Sequence, residues 1–214
     1  MYLIDTHVHS RRYSLCGTQS MEENIRQAVA LGLHGFCITE HHHRWDEEEI
    51  EEARQRAGHE ELVIIPGQEV TCVGSHEEGG GDFLVFGCRE QFAPQTSVRG
   101  LIQTVHAAGG IVIAAHPLRP GMGIGERAYE LPELDGFEVF SPNHSPEACE
   151  RSRQIAADLH LIPTAGSDAH AAHQLGRRTM AFTQPLRTEA EFIRALRARA
   201  FSLDHNLESS PHPA

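Results

Sequence analysis

Five short apolar runs in this chain each end on a histidine, a glutamate or an aspartate. Tyr2-Leu3-Ile4 leads into Asp5-Thr6-His7-Val8-His9-Ser10. Gly35-Phe36-Cys37-Ile38-Thr39 leads into Glu40-His41-His42-His43, and Leu62-Val63-Ile64-Ile65-Pro66-Gly67 into Gln68-Glu69. Ile111-Val112-Ile113-Ala114-Ala115 leads into His116-Pro117, and Leu161-Ile162-Pro163-Thr164-Ala165-Gly166 into Ser167-Asp168-Ala169-His170. Apolar runs this short, bounded by turn residues, read as buried strands. Side chains two apart on a strand share a face, so His7 and His9 point the same way. An HxH pair alone is a weak signal. Its recurrence at the ends of four further strands predicts one cluster of donors assembled from five places.

The stretches between these runs have helical character, at residues 21–31, 47–57, 98–108, 146–159 and 189–200. Strands alternating with helices of this length imply parallel βαβ units. Phe83-Leu84-Val85-Phe86 and Phe137-Glu138-Val139-Phe140 bring the number of strands to about seven. A single barrel would gather the strand tips at one face, and that face would carry the site. The chain has 214 residues, short for an eight-fold barrel of about 250. The expectation is therefore an α/β chain forming a distorted, TIM-like (β/α)7 barrel over residues 1–208. Residues 209–214 read as a disordered tail on composition. The glycine-rich patch at residues 77–81 reads as a loop.

Bulk composition narrows the function classes. The net charge of -12 argues against strong nucleic-acid binding, which needs a basic surface. It leaves room for a small phosphate ester held by metals and a few arginines. The acidic run at residues 46–52 is a solvated helix start, where carboxylates suit the macrodipole. No stretch approaches the roughly 20 apolar residues of a membrane span. The five cysteines are scattered and form no CxxC pair, so a disulfide framework is not suggested. With no visible signal peptide, a reducing cytoplasm is the expected location. Oligomeric state is not encoded in any of these features.

Imidazole and carboxylate donors suit zinc, iron or manganese. A single catalytic zinc needs three protein ligands, and His7, His9, His41, Glu69, His116, Asp168 and His170 exceed that. The excess predicts two or three divalent metals sharing bridging carboxylates, with Glu69 the best bridge. Metals about 3.5–4 Å apart can hold a phosphate between them and activate a water. Arg119, one residue past His116-Pro117-Leu118, is the leading candidate for orienting the phosphate, because a guanidinium forks onto phosphate oxygens. Arg177, Arg178 and His173 are weaker candidates.

Taken in order, Asp5-Thr6-His7-Val8-His9-Ser10, Ile38-Thr39-Glu40-His41, Gly67-Gln68-Glu69, Ala115-His116-Pro117 and Gly166-Ser167-Asp168-Ala169-His170 resemble the PHP (polymerase and histidinol phosphatase) family of metal-dependent phosphoesterases. The resemblance covers nearly the whole chain. It implies a distorted (β/α)7 barrel and a centre of two or three metals. It places His7, His9, Glu69 and Asp168 on a first metal, Glu69 and His116 on a second, and His41 and His170 on a third. Relatives usually carry a further histidine before the strand equivalent to Phe83-Leu84-Val85-Phe86. Here Asp82 precedes that strand and is the favoured substitute, with His76 its rival. Cys16 stands where many relatives carry an aspartate; a thiolate could bind zinc there, but an idle buried cysteine is an equally good reading. Glu40 stands where aspartate is more usual.

The resemblance implies a metal-dependent phosphoric ester hydrolase, a phosphatase or phosphodiesterase, working through a metal-activated hydroxide. A small phosphorylated substrate is favoured over a polymer, with His41 or His170 as proton donor to the leaving group. One alternative is an amidohydrolase acting on C–N bonds. All 18 basic residues are arginine, so a carboxylated lysine bridge is not available. The other alternative is a non-catalytic metal-binding regulatory domain.

Overall fold

The computed structural model describes residues 1–73 and 80–205. Its strands fall into two five-stranded sheets, ordered β10-β9-β1-β2-β3 and β4-β5-β6-β7-β8. The first contains β1 (Tyr2–Val8), β2 (Gly35–Ile38), β3 (Val63–Pro66), β9 (Thr179–Phe182) and β10 (Phe201–His205). The second contains β4 (Gln68–Cys72), β5 (Gly81–Phe86), β6 (Ile111–Ala114), β7 (Gly136–Phe140) and β8 (Ile162–Ala165). The mixed α/β class agrees with the sequence reading, but among the described residues the pairing does not close into a single sheet. The expected parallel direction also fails in places. β5 runs antiparallel to both β4 and β6, and β9 antiparallel to β1 and β10.

One cause of the opening lies between β3 and β4. Pro66 has no N–H to give to a ladder. At Gly67 a Cβ would sit 2.5 Å from the Phe86 ring. The chain turns there and changes partner, from β2 to β5. Isolated bridges then join the two sheets at His41–Glu69 and Val8–Ala169. Both bridges involve residues at or next to the predicted donors.

Five helices cover the sheets: α1 (Met21–Ala30), α2 (Glu47–Ala57), α3 (Val98–Ala107), α4 (Pro146–Asp158) and α5 (Glu189–Arg197). Each lies within a predicted stretch. Their starts are chemically marked: Ser20, Ser97, Ser145 and Thr188 cap the first turns through their hydroxyls, satisfying otherwise free N–H groups. Glu47, Glu48 and Glu49 open α2, as the acidic run predicts.

Side-chain alternation sorts the strands into layers. On β5, Phe83 and Val85 face the α3/α4 side while Leu84 and Phe86 face the interior. On β6, Val112 and Ala114 face out, and Ile111 and Ile113 face in. The interior layer also takes Ile4, Cys37, Ile65, Met180 and Phe192. Phe36, Ile38 and Val8 pack beneath α1 and α2 with Trp45. The apolar interior supports the strands below, leaving their tips to carry polar groups. Among the described residues no helix is long and apolar enough to cross a membrane. The tail at 209–214 and His76 lie outside the described residues.

Candidate metal centre

β1 delivers His7 and, just past its end, His9 to the same end of the molecule. Both are fully buried. Glu69 is the second residue of β4, and His41 follows β2 and bridges to it. Asp82 arrives differently. It is the second residue of β5 rather than the residue before it. Because β5 is antiparallel, its beginning lies where its neighbours end. His116 follows β6, and Asp168 and His170 follow β8. His116 and Asp168 have positive backbone φ of 26° and 48°, a strained region for residues with a side chain.

Four donor atoms converge. His7 Nε2 and His9 Nε2 are 3.1 Å apart. Glu69 Oε2 is 3.4 Å from His7 Nε2 and 3.2 Å from His9 Nε2. Asp168 Oδ1 is likewise 3.4 Å and 3.2 Å from them. Ligands about 2.0–2.2 Å from a four-coordinate ion lie about 3.3–3.6 Å apart, so these separations fit one divalent metal. Among the described residues Glu69 Oε2 and Asp168 Oδ1 are buried without a hydrogen-bond donor, an expensive condition unless a cation serves them. The other oxygen of Glu69 is 3.0 Å from His116 Nε2, which is 3.8 Å from Asp82 Oδ2. Among the described residues neither Asp82 oxygen has a hydrogen-bond partner. That second group fits another hard-ligand site. His9, His41 and His170 form a third cluster of donor atoms, with His9 stacked on both of the other rings.

The protonation pattern matches a cation site. Burial opposes charge on His7, but Asp168, Glu69 and Glu138 outweigh it and raise its pKa well above the ordinary value. Burial likewise opposes His9, yet the adjacent carboxylates of Asp168 and Glu69 raise it to about 9. Glu69 resists its own burial through His7 and His116 and stays far below the usual carboxylate range. Burial, then Glu69, push Asp82 up. At the rim the balance reverses: burial lowers His41 to about 4 despite Glu69, and burial and His9 lower His170.

A second layer of groups holds the donors. Glu138 is fully buried; its Oε1 is 3.3 Å from His7 Nδ1, and its Oε2 accepts the His116 N–H at 2.7 Å. Ser14 Oγ donates to Glu40, lies 3.2 Å from His9 Nδ1 and accepts the His41 N–H at 3.1 Å. Trp45 Nε1–H also donates to Glu40, at 3.0 Å. Asp5 accepts the backbone N–H groups of Ser167 and Gly176, tying β1 to the segment that carries Asp168. Sequence reasoning missed Glu138, though an acid inside the apolar run Phe137-Glu138-Val139-Phe140 was a visible signal. Ser14 carried no such signal.

Arg119 lies at the rim, with Nη1 3.4 Å from Asp168 Oδ2. The Asn143 amide donates to the same oxygen, a contact the sequence did not suggest. Arg178 folds back onto the carbonyl of Arg177. Cys16 is exposed, not the buried residue the sequence allowed, because it sits at the tip of the loop after His9. It belongs to none of these donor clusters among the described residues.

The PHP domain profile matches residues 5–157, and a PHP-associated profile matches residues 146–201. An uncharacterized protein of Methanocaldococcus jannaschii is 30% identical over 151 residues, 65% of this chain and 82% of its own. Among solved structures, a candidate metal-dependent phosphoesterase from Bifidobacterium adolescentis is similar with a TM-score of 0.61 and 22% identity, over 78% of this chain and 87% of that one. An amidohydrolase from Chromobacterium violaceum, solved with bound sulfate and no metal, is similar with a TM-score of 0.66 and 20% identity, over 96% and 99%.

Proposed function

The chain belongs to the PHP domain family, and on that premise we propose that it is a metal-dependent phosphoesterase hydrolysing a small phosphate ester. The convergence of His7 Nε2, His9 Nε2, Glu69 Oε2 and Asp168 Oδ1 at separations of 3.1–3.4 Å carries this reading. His7, His9, Glu69 and Asp168 would hold one metal. Glu69, Asp82 and His116 would hold a second, with His41 and His170 available to a third. Zinc, manganese and iron all suit this donor set. When bound, such ions supply Lewis acidity and activate water near neutral pH.

The chain's own residues do the rest. Arg119 turns from Asp168 to fork onto a phosphate oxygen, fixing the ester over the donors. His170 or His41, neutral at rest because burial lowers its pKa, would take a proton from the attacking water and pass it to the leaving alkoxide when it is not a ligand. Their partial exposure puts them within reach of substrate. The net charge of -12 favours a small ester over a nucleic-acid polymer. The absence of lysine removes the carboxylated bridge that C–N hydrolysis on such a scaffold usually wants. Metal analysis of purified protein, alongside a screen of phosphate monoesters, diesters and amides with added manganese, tests the reading. Fewer than two metals in fully loaded protein, or turnover of amides alone, would reject it.

A further inference from the structure

We propose that Glu138 is a positioning residue that sets two ligand-bearing strand tips at once, fixing the tautomer of His7 and the backbone placement of His116. The proposal rests on the metal-centre reading above and deepens it.

A fully buried carboxylate in the middle of an apolar strand is costly and needs an account. Both oxygens of Glu138 are used, and on different elements. Oε1 faces His7 Nδ1 at 3.3 Å and Oε2 accepts the His116 N–H at 2.7 Å. An ionised carboxylate only accepts, so His7 must carry a proton on Nδ1. Its Nε2 is then the nitrogen left to face Glu69 and Asp168. The His116 backbone is held at φ 26° by the same group. Glu138 is therefore a common anchor for the ends of β1 and β6.

Gly166, just past β8, supplies an independent observation. A Cβ there would lie 2.5 Å from His7 Cβ and 2.8 Å from Glu138 Oε1. The His7–Glu138 contact exists only because residue 166 has no side chain. Three strand tips meet at this point, and the sequence leaves it open.

Glutamine distinguishes positioning from mere filling. Its amide offers one acceptor and one donor, so Glu138→Gln can serve His7 Nδ1–H or the His116 N–H, never both. Loss of an outer partner to a ligating histidine weakens metal affinity by about 10–100-fold. Glu138→Gln should therefore show a zinc affinity about 10–100-fold below wild type in chelator competition. Activity should be lost at limiting metal and recover as metal is raised. Gly166→Ala should reproduce the effect with Glu138 intact. The double variant should be no worse than the more impaired single variant, because both break one contact. Imidazole 15N NMR of the zinc-loaded wild type should show His7 protonated on Nδ1. Wild-type zinc affinity in Glu138→Gln, or His7 bound to zinc through Nδ1, would overturn the proposal. If either variant fails to fold, the wild-type NMR result alone decides. The zinc-affinity and NMR readings use no substrate. A wild type that hydrolyses no phosphoester, while Glu138→Gln still weakens zinc, would sink the functional reading and leave this one standing.

Discussion

The floor and the rim of the candidate centre are built from the same residue types and behave oppositely. On the floor, His7, His116, Glu69 and Asp168 have side-chain exposures of 0–2%. At the rim, His41, His170 and Arg119 show 29%, 25% and 36%. On the floor, His7, Glu69 and Asp168 each have a charged partner close by, and His7 and His9 are held from behind by Glu138 and Ser14. The rim histidines keep water on one side. On the floor the carboxylates outweigh burial and the histidines hold their protons, whereas at the rim burial outweighs the carboxylates and the rings lose theirs. The difference separates a part that must stay fixed from a part that must meet substrate.

The largest test removes the bridge. Glu69→Gln should lose the floor metals and reduce phosphoester hydrolysis to background, with elemental analysis and turnover falling together. Retained metals would show that the floor does not depend on Glu69. The next test attacks the rim alone. His170→Asn should keep the floor metals while kcat falls by about 10²–10⁴-fold, the range of a lost proton donor. If floor metal content falls instead, floor and rim are one unit. A smaller effect is expected from Arg119→Ala. One charge-assisted contact is worth about 1.5–3 kcal/mol, a loss of about ten- to a hundred-fold in kcat/KM with metals retained. An unchanged rate on the best phosphoester would reduce Arg119 to a brace on Asp168.

The smallest effect is the sharpest in sign. His9 is raised to about 9, so it contributes stability fully present below its unfolded value, near pH 6.5, and lost as pH rises through about 9. His41 is lowered to about 4, so its contribution is present above pH 6.5 and lost as pH falls towards 4. Denaturation midpoints of chelator-treated protein should therefore fall on both sides of neutrality. His9→Asn should flatten the alkaline limb and His41→Asn the acid limb. Both limbs flattening in one variant would erase the distinction between floor and rim.

Much of the floor was legible because most donors sit in short motifs that close an apolar run in the sequence. HxH, Gly-Gln-Glu, His-Pro and Ser-Asp-Ala-His are local signals, and folding only has to bring the tips together. Asp82 was singled out by its position before an apolar run, although nothing in that run revealed its antiparallel direction. Periodicity reports burial and not direction, so the opening of the sheet at Pro66-Gly67 stayed hidden. β9 and β10 are no shorter than the strands that were read, but they lie outside the pattern of an apolar run closing on a donor motif. The holding groups were hardest to see. Ser14 matters only because Glu40 and His9 meet it in space.

The contact between Trp45 and Glu40 has an optical consequence. Trp45 is the chain's sole tryptophan; it is 1% exposed, and its indole N–H reaches the carboxylate that also engages Ser14 beside His9. Intrinsic tryptophan emission therefore has one source, three hydrogen bonds from a candidate ligand. A change of occupancy that moves His9 or Ser14 will be written in its intensity and wavelength, and the native chain can be titrated as its own label-free sensor.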